Sequence, residues 1–199
     1  MINKIYKRIY NKYSNIIKFF LFLRYVFVIF LISVSLFISI PKFFDYEKKK
    51  ETIKQHLIEQ YNLKLNNFTS IQFDIFPLPN LYIRNADFQI KNQTINFSSK
   101  NAKIFLEFKI IYNFKNFKVR KISLNDNKMS LDIDKSNILL NYLKKLNNKL
   151  DIKYLNLDLN KNNNSLIDIK NISFSNYGYK KYEFIGELFG KKFKVSLKS

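Results

Sequence analysis

Residues 25–40 read YVFVIFLISVSLFISI, with no charge, no glycine and no proline until Pro41 closes the run. With residues 19–23 in front, interrupted only by Arg24, the apolar span reaches about 20 residues, enough to cross the hydrocarbon core of a bilayer. A buried core helix is rarely apolar on all faces over this length. Arg24 lies near the start of the span, where a long side chain reaches back to the headgroups. The stretch therefore reads as a single transmembrane pass, and everything else in the chain lies on one side of it or the other.

A secretory signal also places basic residues before an apolar run. Lys4, Lys7, Arg8, Lys12 and Lys18 supply that region. The apolar run is longer than a signal core, however, and the chain continues Ile40-Pro41-Lys42-Phe43-Phe44 with no small-residue cleavage site. An uncleaved signal anchor is expected. Charge leaves its orientation open, because Lys42, Lys48, Lys49, Lys50 and Lys54 follow the helix as closely as Lys12 and Lys18 precede it.

The 199 residues carry a formal charge of +20. Such a balance usually points to nucleic acid or an anionic membrane surface. Here the lysines are scattered through every segment, in a chain crowded with Asn, Ile, Phe and Tyr, and no single basic stripe stands out. No nucleic-acid partner is expected. The chain has no cysteine, which excludes disulfides and thiolate metal sites.

After the anchor the hydrophobic period is helical, with Asp45 as a cap and Ile53, Leu57, Ile58 and Tyr61 on one face. This short amphipathic helix is expected to lie as a lid on a following sheet. From Leu63 the period becomes alternating. Ile71, Phe73 and Ile75 lead to Leu81 and Ile83, and then Ala86, Phe88 and Ile90 change parity, which predicts a β-bulge near Asn85. Ile95 and Phe97, then Ile104 to Ile110, then Phe117 to Leu124 continue the pattern. Residues 125–128 (NDNK) read as a turn before Met129, Leu131 and Ile133. Residues 136–147 predict a second helix, capped by Asp134 or Ser136. Leu155, Leu157 and Leu159, then residues 166–174, Tyr182 to Leu188, and Lys192 to Lys198 complete about nine strands. The expected fold is mainly β (α+β). An N-terminal transmembrane helix and a short amphipathic helix precede a meandering, mostly antiparallel curved sheet or open β-groove, with one further short helix.

Residues 76–90, FPLPNLYIRNADFQI, together with FSSKNAKIFLEF at 97–108, the strand–turn–strand reading of 119–133 and the GELFGKKFKV hairpin at 186–195, resemble the N-terminal region of the AsmA family of bacterial envelope proteins. The likeness lies in the order and spacing of these segments after a transmembrane helix and a short helix, and is fullest over residues 26–134. It implies a basic cytoplasmic segment at 1–18, an inner-membrane anchor at 19–41, a juxtamembrane helix at 42–61 and a β-rich periplasmic body at 62–199. It also implies a part in outer-membrane biogenesis in which an apolar β-groove holds or passes phospholipid acyl chains. Leu155, Leu157, Leu159, Tyr182, Phe184, Leu188, Phe193, Val195 and Leu197 are the residues expected to line that groove. Family members are usually longer, which raises the alternative of a membrane-tethered scaffold. Its open sheet edge, the strand Lys192 to Lys198, would then recruit a longer β-groove protein or a second copy.

No catalytic constellation accompanies these features. His56 is the single histidine and sits among Lys and Glu, as a solvated side chain. There is no G-x-S-x-G, P-loop or H-E-x-x-H. Asp132 and Asp134, two apart on an expected strand, share a face but lack the companions of a Ca²⁺ loop. The aromatic and lysine residues of 112–118 read as half-buried strand positions rather than a base-stacking surface. No enzyme activity, cofactor or metal is expected.

Overall fold

The computed structural model describes residues 2–75, 78–90, 95–107, 118–162 and 164–197, with the backbone alone for residues 2–11 and 17. Contacts divide the chain into two units, residues 1–43 and 44–199, and each is taken by itself.

The first unit is one helix, α1 (Ile2–Ser39), followed by a 3₁₀ turn at Ile40–Phe43. Its 38 residues make a rod about 57 Å long, well beyond the ~30 Å hydrocarbon core of a bilayer. The expected boundary at residue 18 is not marked by a break. The rod ends at Ser39 because a residue preceding proline is driven out of helical backbone, and Pro41 follows. The segment Lys12–Phe43 is long and apolar enough to cross a membrane. Its large apolar side chains, among them Phe22, Ile29 and Leu36, are exposed.

The second unit begins with a 3₁₀ turn (Glu47–Lys49) and α2 (Lys50–Tyr61). The Lys48 amide donates to the Asp45 carboxylate at 3.3 Å, and that bond holds the Asp45 carboxyl below its usual pKa. Asp45 therefore caps the 3₁₀ turn, whereas α2 itself has no side-chain cap. Ile53, Leu57 and Tyr61 are fully buried, so α2 is the expected lid. Asn62 then takes left-handed backbone and stops the helix.

Nine strands form one open sheet: β1 (Leu63–Asn67), β2 (Ser70–Asp74), β3 (Asn80–Ile90), β4 (Asn96–Leu106), β5 (Val119–Asp132), β6 (Lys149–Lys161), β7 (Asn164–Ser175), β8 (Glu183–Leu188) and β9 (Lys191–Ser196). Their order is β1-β3-β4-β5-β6-β7-β8-β9, with β2 beside β1 on the same edge of β3. All neighbours are antiparallel except β5 and β6, which are joined by a 3₁₀ turn (Ile133–Lys135) and α3 (Ser136–Lys145). A parallel pair needs such a crossover.

Three expectations change here. Residues 125–128 are not a turn, because β5 runs through them unbroken, paired on both sides with β4 and β6. Asn127 sustains this by donating from Nδ2 to the Leu124 and Lys153 carbonyls. Asp132, rather than Asp134 or Ser136, caps the turn into α3, accepting from the Asp134 amide at 3.3 Å. Asp132 and Asp134 consequently do not share a strand face: β5 ends at Asp132. Phe76, Pro77 and residues 108–117, which carry part of the family resemblance and the aromatic–lysine stretch, lie outside the described residues.

The parity change expected at Asn85 is one stitch of a longer seam. Asn85, Asp126, Tyr154 and Asn171 take positive φ of 47, 56, 53 and 55°. Pairing passes from Arg84–Asn101 to Ala86–Ser99, skipping Asn85 and Lys100. It likewise skips Lys100 and Asp126 between β4 and β5, and Asp126 and Tyr154 between β5 and β6. Each skip passes one residue on both strands, so the register is kept and no strand gains a residue on its neighbour; the bulge expected near Asn85 is not there. Instead the strands kink together, and the parity of the inward residues changes on all of them at one level: Ile122 and Leu124 before it, Met129 and Leu131 after it. A shared kink of this kind keeps one face apolar without breaking the ladder.

Candidate functional site: an apolar face left partly open

The inner face of this bent sheet begins as a dry core. Leu81, Ile83, Ile104, Ile122 and Leu124 are fully buried with Ile53, Leu57 and Tyr61 of α2. α3 adds Leu143, with Leu139 and Tyr142 packed beside it. A cavity of about 20 Å³ lies among α3, β1 and the strands beneath it. Polar bonds pin the two helices. The Tyr142 hydroxyl donates to the Tyr61 carbonyl at 2.7 Å, and the Tyr61 hydroxyl donates to the Lys149 carbonyl at 3.2 Å. Burial pushes both phenols well above their usual pKa, with a smaller push on Tyr61 from Tyr177 and on Tyr142 from Tyr61. Asn176 fastens the start of β6. Its Nδ2 donates to the Leu146 and Asn148 carbonyls at 2.9 and 2.8 Å, and its Oδ1 accepts from the Leu150 amide at 2.8 Å.

The same face continues across β6–β9 with fading cover. On β6, Leu150 and Leu155 are buried while Leu157 and Leu159 are half-buried. On β7, Ile172 and Phe174 are buried while Ile169 and Ile167 are half-buried. Leu157 sits opposite Ile169, and Ile169 opposite Leu188. Phe174 pairs with Phe184, their rings stacked at 4.6 Å, and Phe184 pairs with Val195. Val195 is 50% exposed. Cover is therefore lost in two directions: along β6 and β7 away from α3, and across the sheet towards β9.

The expected groove residues are largely brought together. Leu155, Leu157 and Leu159 share the inner face with Phe184, Leu188, Phe193 and Val195 through this register. Leu155 differs in being buried, at 6% exposure. It belongs to the floor near α3 rather than to the open part. Tyr182 packs its ring 6.4 Å from that of Phe174. Leu197 lies past the end of β9, its amide donating to the Tyr182 carbonyl at 2.9 Å. Phe193 lies across Gly186, where any β-carbon would come within 2.8 Å of its ring. A side chain at that crossing would displace the Phe193 ring. Sequence reasoning missed Ile167, Ile169, Ile172 and Phe174 as members of this surface. The signal was present, but the bulge at Asn171 moves the apolar residues from odd to even positions in mid-strand.

The opposite face of the same strands is polar, with Asp158 opposite Asp168 and Lys194 paired to Glu183 at 3.0 Å. β9 spans Lys191–Ser196 rather than Lys192 to Lys198, and pairs on one side only among the described residues. His56 is less solvated than expected: its side chain is 20% exposed and its Nδ1 lies 3.7 Å from Glu59. Among the described residues no group of three or more His, Cys, Asp or Glu side chains is placed to hold a metal ion. No protein-family model, no curated protein and no solved structure matches the chain.

Proposed function

We propose that this is a membrane-anchored bacterial envelope protein of the AsmA kind, non-enzymatic, whose partly open apolar sheet face holds or passes phospholipid acyl chains in outer-membrane biogenesis. The observation that carries the reading is the graded exposure of Leu157, Leu159, Ile167, Ile169, Leu188 and Phe193. These side chains are continuous with a dry core yet are not themselves sealed. A contiguous apolar surface of this kind marks a binding site. Acyl chains suit it because it is long, apolar from Leu157 to Val195 with Lys191 only at its rim, and part of a chain with a helix long and apolar enough to cross a membrane. In this reading the inner membrane holds α1, residues 1–18 are cytoplasmic and the body from residue 42 is periplasmic.

The test is to purify the full chain in mild detergent and quantify co-purified phospholipid. The expected result is stoichiometric lipid on the wild-type chain and its loss in a folded Leu157→Asp variant. A folded Leu157→Asp variant that retains lipid at the wild-type level would overturn the assignment.

A second reading rests on the outer edge of β9. Unpaired backbone groups there offer a template for a strand from a longer groove protein or a second copy. Lys192 and Lys194 discourage indiscriminate pairing without blocking the backbone. Crosslinkers at these two positions in living cells should capture such a partner, and a lipid-loaded monomer with no adducts would leave the first reading alone.

A further inference from the structure

The seam has an outer side as well as an inner one. Where the parity changes, two successive residues are turned away from the core: Arg84 with Asn85, Asn125 with Asp126, Lys153 with Tyr154. Arg84 turns to the Tyr82 ring and Lys153 to Asp151, while Asn85, Asp126 and Tyr154 line a trough of about 670 Å³, within the ~300–1,000 Å³ typical of small-molecule sites.

The lining of the trough is polar and balanced. Lys100 and Lys128 face it, and so do Asp87 and Asp126. Three amides, Asn85, Asn156 and Asn171, stand between the charges. Several of these groups are held in place. Asn101 donates from Nδ2 to Asp126 Oδ2 at 3.0 Å, and accepts in turn from the Tyr82 hydroxyl. Asn156 Oδ1 accepts from the Asn171 backbone N–H at 3.2 Å.

Tyr154 does not fit a purely structural account. At the equivalent seam positions stand Asn85, Asp126 and Asn171, residue types that tolerate positive φ. A bulky aromatic does not, and strain of this kind is usually offset elsewhere. Tyr182 and Phe189 share positive φ but have local reasons. Tyr182 packs on Phe174, and Phe189 precedes Gly190 in a two-residue hairpin turn where both residues have positive φ. Tyr154 sits in the register irregularity between Ile152 and Leu155, where a small residue would serve the backbone better, and it is 57% exposed.

We infer that this trough binds a neutral saccharide, with the Tyr154 ring stacked against a sugar face. Hydroxyl groups donate to Asp126 and Asn156 and accept from Lys100 and Lys128. The charge balance selects the class. A phosphate or nucleic-acid backbone would confront Asp87 and Asp126, and a cation would confront the two lysines. A polyol uses donors and acceptors together, and the mixed lining offers both at once. The site lies on the face opposite Leu157 and Ile169, so it stands or falls independently of the lipid reading.

The experiment uses the full chain in an amine-oxide detergent, since maltoside detergents would themselves present sugar. Chitotetraose, cellotetraose and maltotetraose are titrated and followed by saturation-transfer NMR and calorimetry. At least one should bind with Kd at or below about 1 mM. Tyr154→Gly should weaken that binding by about tenfold while the melting temperature stays equal or rises, because glycine accepts the backbone that tyrosine resists. Tyr154→Phe should keep the affinity. Failure of all three sugars to bind, unchanged affinity in Tyr154→Gly, or displacement of the sugar by millimolar inorganic phosphate would each overturn the proposal.

Discussion

Ile104, Ile122 and Leu124 in the middle strands are fully buried, whereas Val195, on the same face four strands beyond β5, is half exposed. Both regions are built from alternating apolar residues on paired strands. What separates them is cover: α2 and α3 seal the first region and reach only the near ends of β6 and β7. Alternation reports which side of a sheet a residue is on; burial depends on what the rest of the chain lays over that side. A sealed core and an open groove can therefore share one sequence pattern within a single sheet.

The comparison is broken most severely by placing a charge in the sealed region. Leu124→Asp would bury an unpaired carboxylate at a position with no exposure, at a cost of more than about 5 kcal/mol. That is comparable to the whole stability of a domain this size, so circular dichroism and proteolysis should show an unfolded body. The same substitution at half-buried Leu157 should cost about 1–3 kcal/mol and leave the body folded. Equal losses at the two positions would mean that the faces do not differ.

A second break concerns the fastening between the regions. Asn176→Ala removes three hydrogen bonds and leaves the Leu150 amide and two carbonyls without that partner. Chemical denaturation should show a loss of about 2–4 kcal/mol. The two lid tyrosines sharpen the contrast by their pH dependence. Their folded pKa values lie above the unfolded value of 10.0. The stabilisation from their neutral forms is therefore complete below pH 10 and is lost as pH rises towards the folded values. Each phenol should add a decline of up to about 1.4 kcal/mol per pH unit above that point. Denaturant titrations at pH 9 and 11 should show a shallower decline in a Tyr61→Phe, Tyr142→Phe chain than in wild type.

Much of this was legible in the sequence, for identifiable reasons. The charge-free run at residues 25–40 predicts a helix, and the helix found there is long and apolar enough to cross a membrane. The 3.6-residue pattern of Ile53, Leu57 and Tyr61 names the buried face of α2. Strand alternation gave the mainly β fold and most of the candidate groove. The seam was seen only at Asn85, where the parity change stands clear of other signals. At residues 125–128 the Asn-Asp-Asn-Lys run that forms the seam on β5 has the composition of a hairpin turn, since both need residues that tolerate positive φ. Only the pairing of β5 with β4 on one side and β6 on the other distinguishes them. The members of the open face on β7 were obscured by the same device at Asn171.

A smaller effect tests the seam itself. Asn85→Ala keeps a β-carbon at φ 47° but loses the side chain that bonds to Thr69 at 3.1 Å, and should cost about 1 kcal/mol. Asn85→Gly should be close to neutral, because glycine takes left-handed backbone freely. Thermal melts that rank alanine above glycine would show that the left-handed kink is not what the position requires.

The central claim is that the half-buried face of β6–β9 is open to acyl chains in a way that the sealed face and the outer face are not. Photoreactive residues placed singly at Leu157, at Leu124 and at outer-facing Asp158, and activated in intact membranes, test it directly. The account predicts phospholipid adducts at Leu157 and none at Leu124 or Asp158. Adducts at Asp158 as abundant as at Leu157, or no lipid adduct at Leu157 in a folded chain, would contradict it.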